Sequence, residues 1–350
     1  WGYNTNGQLG LNNTVNSSSP VQVGSLTNWK LVSAGRYYSA AIKTDGTLWS
    51  WGYNIYGQLG QNDVTSRSSP TQVGALTNWK QVTTGFYHTA AIKTDGTLWT
   101  WGRNSYGQLG LNNTVHRSSP VQVGSLTNWK QVSCGATHAE AIKTDGTLWT
   151  WGGNGYYGGL GLNDTTNRSS PTQVGSLSNW KLVSAGKYYS AAIKTDGTLW
   201  SWGYNFLGQL GLNDTVHRSS PTQVGALTNW KLVASGYYQM TAIKTDGTLW
   251  TWGYNFYGEL GINDTTNRSS PVQVGSLTNW KLVASGSGYH QMTAIKTDGT
   301  LWTWGYNFFG QLGLNNTVHR SSPVQVGALT NWKQVTTGFY FSAAIQDGYY

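Results

Sequence analysis

The chain has 350 residues, of which only 10% are charged while 14% are aromatic, with 46 Gly and 20 Trp. So many large rings exclude a disordered chain, and no apolar run approaches the roughly 18 residues a membrane-crossing helix needs. The net charge of +9 is spread by a repeat rather than gathered in one stripe, which argues against a nucleic-acid surface, and the single Cys134 forbids an intrachain disulfide.

In chain order, Trp1-Gly2 reads as the end of a strand, with neither initiator Met nor signal peptide before it. This predicts a processed product or an excerpt of a longer polypeptide. Pro20 to Val23 reads as a short outer strand. One full unit then runs from Asn78. Trp79 to Gly85 is strand A and Tyr87 to Lys93 is strand B; Thr94-Asp95-Gly96 turns into strand C, Thr97 to Gly102. Alternation puts Trp99 and Trp101 on one side of C and Leu98 and Thr100 on the other, with Asp-Gly supplying the hairpin turn. A Gly/Asn/Ser-rich connection leads to strand D, Pro120 to Val123, where a missing N–H suits an edge.

The unit returns at Trp1, Trp51, Trp101, Trp151, Trp202, Trp252 and Trp304, at intervals of 50 to 52 residues. A four-stranded antiparallel sheet this small must stack on its neighbours. The expected fold is therefore all-β: one seven-bladed β-propeller over residues 1–350. The last copy stops at Asp347-Gly348-Tyr349-Tyr350, without most of C and all of D. Its blade is expected to combine 331–350 with 1–27, placing Tyr350 beside Trp1. Interblade packing is assigned to the Trp pair of C and the Leu of GQLG, at roughly 1.5–3 kcal/mol per buried large side chain. Lysines at two repeated positions, Lys30 and Lys43 in the first copy, read as solvated rings, and Cys134 as a small packed residue.

The motifs YGQLG, GxYHxAAI and DGTLWTWG, repeated along the whole chain, resemble those of the regulator of chromosome condensation repeat family. The resemblance implies a seven-bladed propeller. Its eukaryotic founding member is a nuclear guanine-nucleotide exchange factor that uses loops breaking the repeat. Here the only insertions are one or two residues near Tyr157 and at Ser287-Gly288, so no exchange residues carry over. The phrasing TNWKxV, KTDGTLW and RSSPVQVG is more similar to bacterial and bacteriophage members, which implies an exported or particle-borne protein.

The copies differ mainly at the A–B and C–D connections, which share one face. The A–B candidates for a binding surface are Tyr37, Tyr38, Phe86, Tyr87, Tyr188, Tyr189, Tyr237, Tyr238, Tyr289, Phe339 and Tyr340. The C–D candidates are Tyr56, Tyr106, Tyr157, Tyr257 and Phe309. Rings of this kind offer large contact area with few rotamers. The alternative is that they fill the mouth of the central channel and pack on one another.

Histidines show no ligand spacing, so neither a metal nor a cofactor is expected. Arg67 and its equivalents before Ser-Ser-Pro are expected to hydrogen-bond the C–D loop. The acidic symmetry breaks are Glu140, in place of Ala or Thr, and Glu259, in place of Gln. Arg103, His138 and Glu140 form the one acid–base–cation grouping; repeat drift explains it better than catalysis, and no catalytic residue is assigned. The functional expectation is a non-enzymatic binding or display module, exported or on a cell or virus-particle surface, facing a protein partner. A multivalent lectin-like glycan binder is the alternative, and an exchange factor or an enzyme is the remaining class.

Overall fold

The computed structural model describes residues 1–25, 27–284 and 290–347. Six four-stranded antiparallel sheets follow one another in chain order. The first is β1 (Trp29–Ala34), β2 (Tyr38–Lys43), β3 (Leu48–Gly52) and β4 (Arg67–Gln72). The second is β5 (Trp79–Thr84), β6 (His88–Lys93), β7 (Leu98–Gly102) and β8 (Arg117–Gln122). Blades three to six cover residues 129–173, 180–223, 230–273 and 280–325 with the same order. β25 (Trp332–Thr337) and β26 (Ser342–Gln346) form a two-stranded sheet. Among the described residues the one helical element is a single 3-10 turn at Gly155–Tyr157, where the repeat carries its extra residue.

The expectation of seven four-stranded blades is thus corrected to six. The reason lies in pairing. In the second blade strand C runs along B from Ile92↔Leu98 to His88↔Gly102, and D pairs back through Gly102↔Arg117 and Trp99↔Gln122. Beside β26, Trp1 exchanges backbone bonds with Ser342, but only an isolated bridge forms there, at Gly2, with Phe341 on one side and Ser17 on the other. Pro20 to Val23 has no third strand beside it to pair with, and it is not a strand. An apolar cleft of about 1250 Å³, lined by Trp1, Trp29, Trp332 and Ile345 among others, borders this sheet. β25 still meets the first blade: the Gln334 side chain donates to the Val32 carbonyl (3.2 Å) and accepts from its N–H (3.1 Å). The expected neighbour of Trp1, Tyr350, lies outside the described residues.

Strand D begins earlier than expected, at Arg117 rather than Pro120, because the ladder crosses a bulge between Thr100 and Gly102. Pro120 sits in that bulged stretch, where its missing N–H breaks no ladder bond. The B–C turn forms as expected. Gly96 takes φ 79°, and Asp95 accepts from the Thr97 N–H (2.9 Å) and hydroxyl (2.7 Å), which holds its carboxyl below the usual range.

The cores lie between blades. Ala40, Ile42, Leu48 and Val73 of one blade meet Trp79, Val82, Ala91 and Trp101 of the next, and the pattern recurs around the molecule. From Trp51 to Trp304 each inner Trp also donates its indole N–H backwards, Trp101 Nε1 to the Gln58 carbonyl (2.9 Å) and Trp252 Nε1 to the Gln209 carbonyl (2.9 Å), whereas the Trp1 indole N–H is buried without a partner.

One lysine ring departs from the solvated reading. Lys80 and its equivalents are exposed, but Lys93 is buried, its ammonium 3.7 Å from the Trp99 ring centroid and 5.0 Å from Trp79. Burial lowers its pKa. The outer Trp offers a π face where a solvated charge was expected, so the stem packs while the head stacks. Lys93→Gln is expected to cost about 1 kcal/mol, read as a lower urea midpoint at unchanged slope. An unmoved midpoint would show that the ammonium is equally well placed in water.

Candidate recognition face

Each A–B loop presents three successive side chains, and the structure gives each a different place. The third enters the seam between blades. Tyr38 and Tyr189 are fully buried; Tyr38 donates its hydroxyl to the His88 carbonyl (2.5 Å), Tyr189 to the Gln239 carbonyl (2.6 Å). Burial raises both phenol pKa values far above the usual range, so these two candidates pack inside and offer no surface.

In the described loops the first side chain converges on the axis. Phe86 and Tyr237, from the second and fifth blades, stack with centroids 5.6 Å apart, and Phe339 meets them at 6.3 and 5.7 Å. Phe86 and Phe339 are buried, which is the channel-mouth packing weighed above. Tyr289 lies outside the described residues. The second side chains, Tyr37, Tyr87, Tyr188, Tyr238 and Tyr340, are half-buried and lean on C–D rings. Tyr87 meets Tyr56 at 5.3 Å, Tyr188 meets Tyr157 at 6.3 Å, and Tyr340 meets Phe309 at 5.0 Å. Tyr257 packs against His290 at 5.3 Å, and Tyr106 is exposed.

The most exposed rings were not among the candidates. They stand one residue earlier in the C–D loops: Tyr156 (92% exposed), Phe206 (67%), Phe256 (63%) and Phe308 (63%), with Ile55 at the same position. A buried Asn builds each tip. Asn205 Oδ1 accepts from the Leu210 N–H (2.8 Å), while its Nδ2 donates to the Asp214 and Val216 carbonyls (both 3.1 Å). Gln209 Oε1 then accepts from the Leu207 N–H (3.0 Å). With the second loop residue tied down in this way, the first is left at the apex. The signal was available in the sequence, since Ile55, Phe206, Phe256 and Phe308 each directly follow the repeated Asn, and Tyr156 stands one residue beyond it.

The acid–base–cation grouping comes apart. Arg103 bonds Ser105 (Nε to Oγ, 3.2 Å) and lies over Tyr56 and Tyr106, whereas His138 and Glu140 are fully buried in the third blade's second strand. His138 Nε2 is 3.2 Å from Ser190 Oγ and 3.9 Å from Glu140 Oε1. Burial pushes Glu140 up to about 8 and His138 down to about 4, so the pair is neutral near pH 7. Glu259 instead meets His290 Nδ1 at 2.6 Å, from the adjacent repeat, and accepts the Tyr257 N–H (2.8 Å). Two departures from the repeat thus form one acid–base contact across a blade seam.

His116, His217 and His319 each accept the N–H of the loop Asn through Nδ1 at 2.9 Å, a capping role that Asn or Ser fills in other copies. Among the described residues no group of three or more His, Cys, Asp or Glu is placed to hold a metal ion. Arg67 pairs with Asp63 (2.6 Å) and donates to the Thr65 carbonyl (3.0 Å), so this arginine braces its C–D loop. Cys134 is buried, and burial raises its thiol. Among the described residues no helix is long and apolar enough to cross a membrane.

Residues 1–235 match the RCC1-like domain, and residues 230–259, 246–290 and 298–345 match the regulator of chromosome condensation (RCC1) repeat. The ultraviolet-B receptor UVR8 of Arabidopsis thaliana is 37% identical over 62 residues, a match spanning 17% of this chain and 14% of that protein. Yeast RCC1 (Prp20), in its structure bound to Kap60, superposes with a TM-score of 0.88 at 21% identity, over 99% of this chain and 88% of that one. Human WBSCR16 gives 0.86 at 21% identity, over 100% and 98%. A second structure, of Prp20p from Saccharomyces cerevisiae, described with its binding to Gsp1p and histones, gives 0.82 at 20% identity over 98% and 90%. At these identities the structural likeness concerns the fold.

Proposed function

This chain belongs to the regulator of chromosome condensation (RCC1) repeat family, and from that premise we propose that it is a non-enzymatic binding module whose loop face engages a protein. The observation carrying this reading is the run of exposed apolar tips on four successive blades: Tyr156, Phe206, Phe256 and Phe308. Exposed apolar groups gathered on one rim mark interaction sites, and aromatic anchors dominate protein interfaces. Relatives described with Kap60, Gsp1p and histones support a protein as the partner class. Display outside the cell or on a particle belongs to the same proposal, supported by the phrasing of the repeats.

The test is a paired screen against surface proteins and glycans with wild type and a Phe206→Ser/Phe256→Ser/Phe308→Ser variant. Exposed substitutions cost within about 0.5 kcal/mol each, so the fold should persist, as circular dichroism and the melting curve will show. A protein ligand that binds wild type and is lost at least tenfold by the variant supports the reading. Retention of that ligand overturns it, and ligands found only among glycans favour the lectin-like alternative.

A further inference from the structure

We propose that the axial mouth of this face is a carboxylate-binding site, built by Arg36 and Lys187, for an acidic segment of the protein partner. The inference rests on the reading above that this face binds protein. At the first A–B position the described copies carry Arg36, Phe86, Ala136, Lys187, Tyr237 and Phe339, so two cations interrupt a ring of small and aromatic residues. The Arg36 guanidinium lies 4.6 Å from the Phe339 centroid, 5.4 Å from Phe86 and 5.3 Å from both Tyr37 and Tyr87; its Nε is buried without a hydrogen-bond partner. The Lys187 ammonium lies 3.9 Å from the Tyr237 centroid and donates to the Tyr238 hydroxyl at 2.6 Å.

No described carboxylate faces them. Of the 13 acidic residues, six Asp occupy the B–C turns of the opposite face and four pair with Arg on the outer loops. Asp347 pairs with Lys333, and Glu140 and Glu259 are buried beside histidines. Among the described residues neither Arg36 nor Lys187 has an ion-pair partner. Burial, with Arg36 adding to it, pulls Lys187 down to about 8. Rings return less to a desolvated cation than a carboxylate that hydrogen-bonds it. The mouth is therefore organised around cations without their counter-ion.

The surroundings select the kind of anion. The exposed tips of Phe206 and Phe256 suit apolar side chains next to the acidic ones, as in a peptide. Two cations at an axis do not track a polyanion, which calls for a stripe of positive charge.

The probe is a fluorescein-labelled Glu-Glu-Phe-Leu-Glu-Glu peptide, followed by anisotropy on the full chain and compared with its Gln-for-Glu counterpart. Tighter binding of the acidic peptide is expected, at least tenfold, weakening as salt rises. R36M with K187M keeps the stems and should remove that preference, whereas R36K should hold binding within a few-fold. Equal binding of both peptides, an undiminished R36M/K187M variant, or competition by inorganic phosphate or sialyllactose at matched concentration would each overturn the proposal. If the cation variant keeps the whole partner while the aromatic-tip variant loses it, only the carboxylate site is wrong. If both keep the partner, the binding-face reading fails with it.

Discussion

Trp252→Ala is expected to destabilise the chain by about 3–5 kcal/mol, the range for truncating a buried Trp. Trp252 is fully buried, meets Trp230 edge-on with centroids 6.1 Å apart, and packs with Leu199, Leu210 and Val224 of the preceding blade. Its loss opens a cavity at a seam between blades. Neither neighbouring sheet can close it without moving the other, so little relaxation is available. Trp252→Phe keeps most of the apolar contact and drops the hydrogen bond to the Gln209 carbonyl, for an expected further cost of about 1 kcal/mol beyond lost area. Chemical denaturation of both variants measures this. A Trp252→Ala change within about 0.5 kcal/mol of wild type, what a surface change costs, would mean that the seams are not what holds the ring together.

Glu140→Ala is expected to stabilise, and by an amount that grows with pH. The native state keeps the Glu140 proton up to about pH 8, while the unfolded chain releases it around the ordinary 4.5. Wild-type stability from this group is therefore fully present below about 4.5 and falls as pH rises toward 8. The slope approaches about 1.4 kcal/mol per pH unit where only the unfolded chain is ionised. His138 and His88 act in the opposite direction. Burial holds them near 4 and 3, so protonation of the unfolded chain below about 6.5 erodes stability on the acid side. The difference between Glu140→Ala and wild type isolates the carboxyl from the histidines, and Glu140→Gln, which keeps size without titrating, should show the same pH trend. Urea midpoints across pH 5 to 8 provide the measurement. A difference that stays flat over that window would show an ionised Glu140 with a partner in the native state.

Much of this architecture was written in the repeat. The Asp-Gly turn, the alternation of Leu98 and Trp99, and the returning Trp-Gly marked strands and stacking directly, because hairpin and packing rules act over a few residues. The terminal sheet was less legible. Complementary fragments at the two ends suggested a complete four-stranded seventh blade, but a ladder needs consecutive partners, and among the described residues of the N-terminal fragment the bridges fall on Gly2 and Ser17. The depth of the A–B rings was also hidden. Tyr37 and Tyr38 are neighbours of one type, and only the geometry of the seam sends one to the face and the other to the interior. Exposure of Phe206 over Leu207 depends on which residue the Gln209 side chain ties down, a contact across two residues that composition does not display. The lysine ring misled for a different reason. A charge repeated on a turn suggests solvent, yet two indoles wait beside it.

The backward bond of the inner Trp residues from Trp51 to Trp304 has a bearing on how such a chain can change. Its acceptor is a backbone carbonyl, whether the residue carrying it is Gln58, Gly159 or Glu259, at 2.9, 3.1 and 2.8 Å. The joint recognises the main chain and ignores the side chain. Residues on the neighbouring apices can thus be exchanged, by drift or by an engineer, with the joint between blades left as it was. Such a molecule is a ready base for combinatorial libraries, with diversity placed at Ile55, Phe206, Phe256 and Phe308 and selection acting on binding alone.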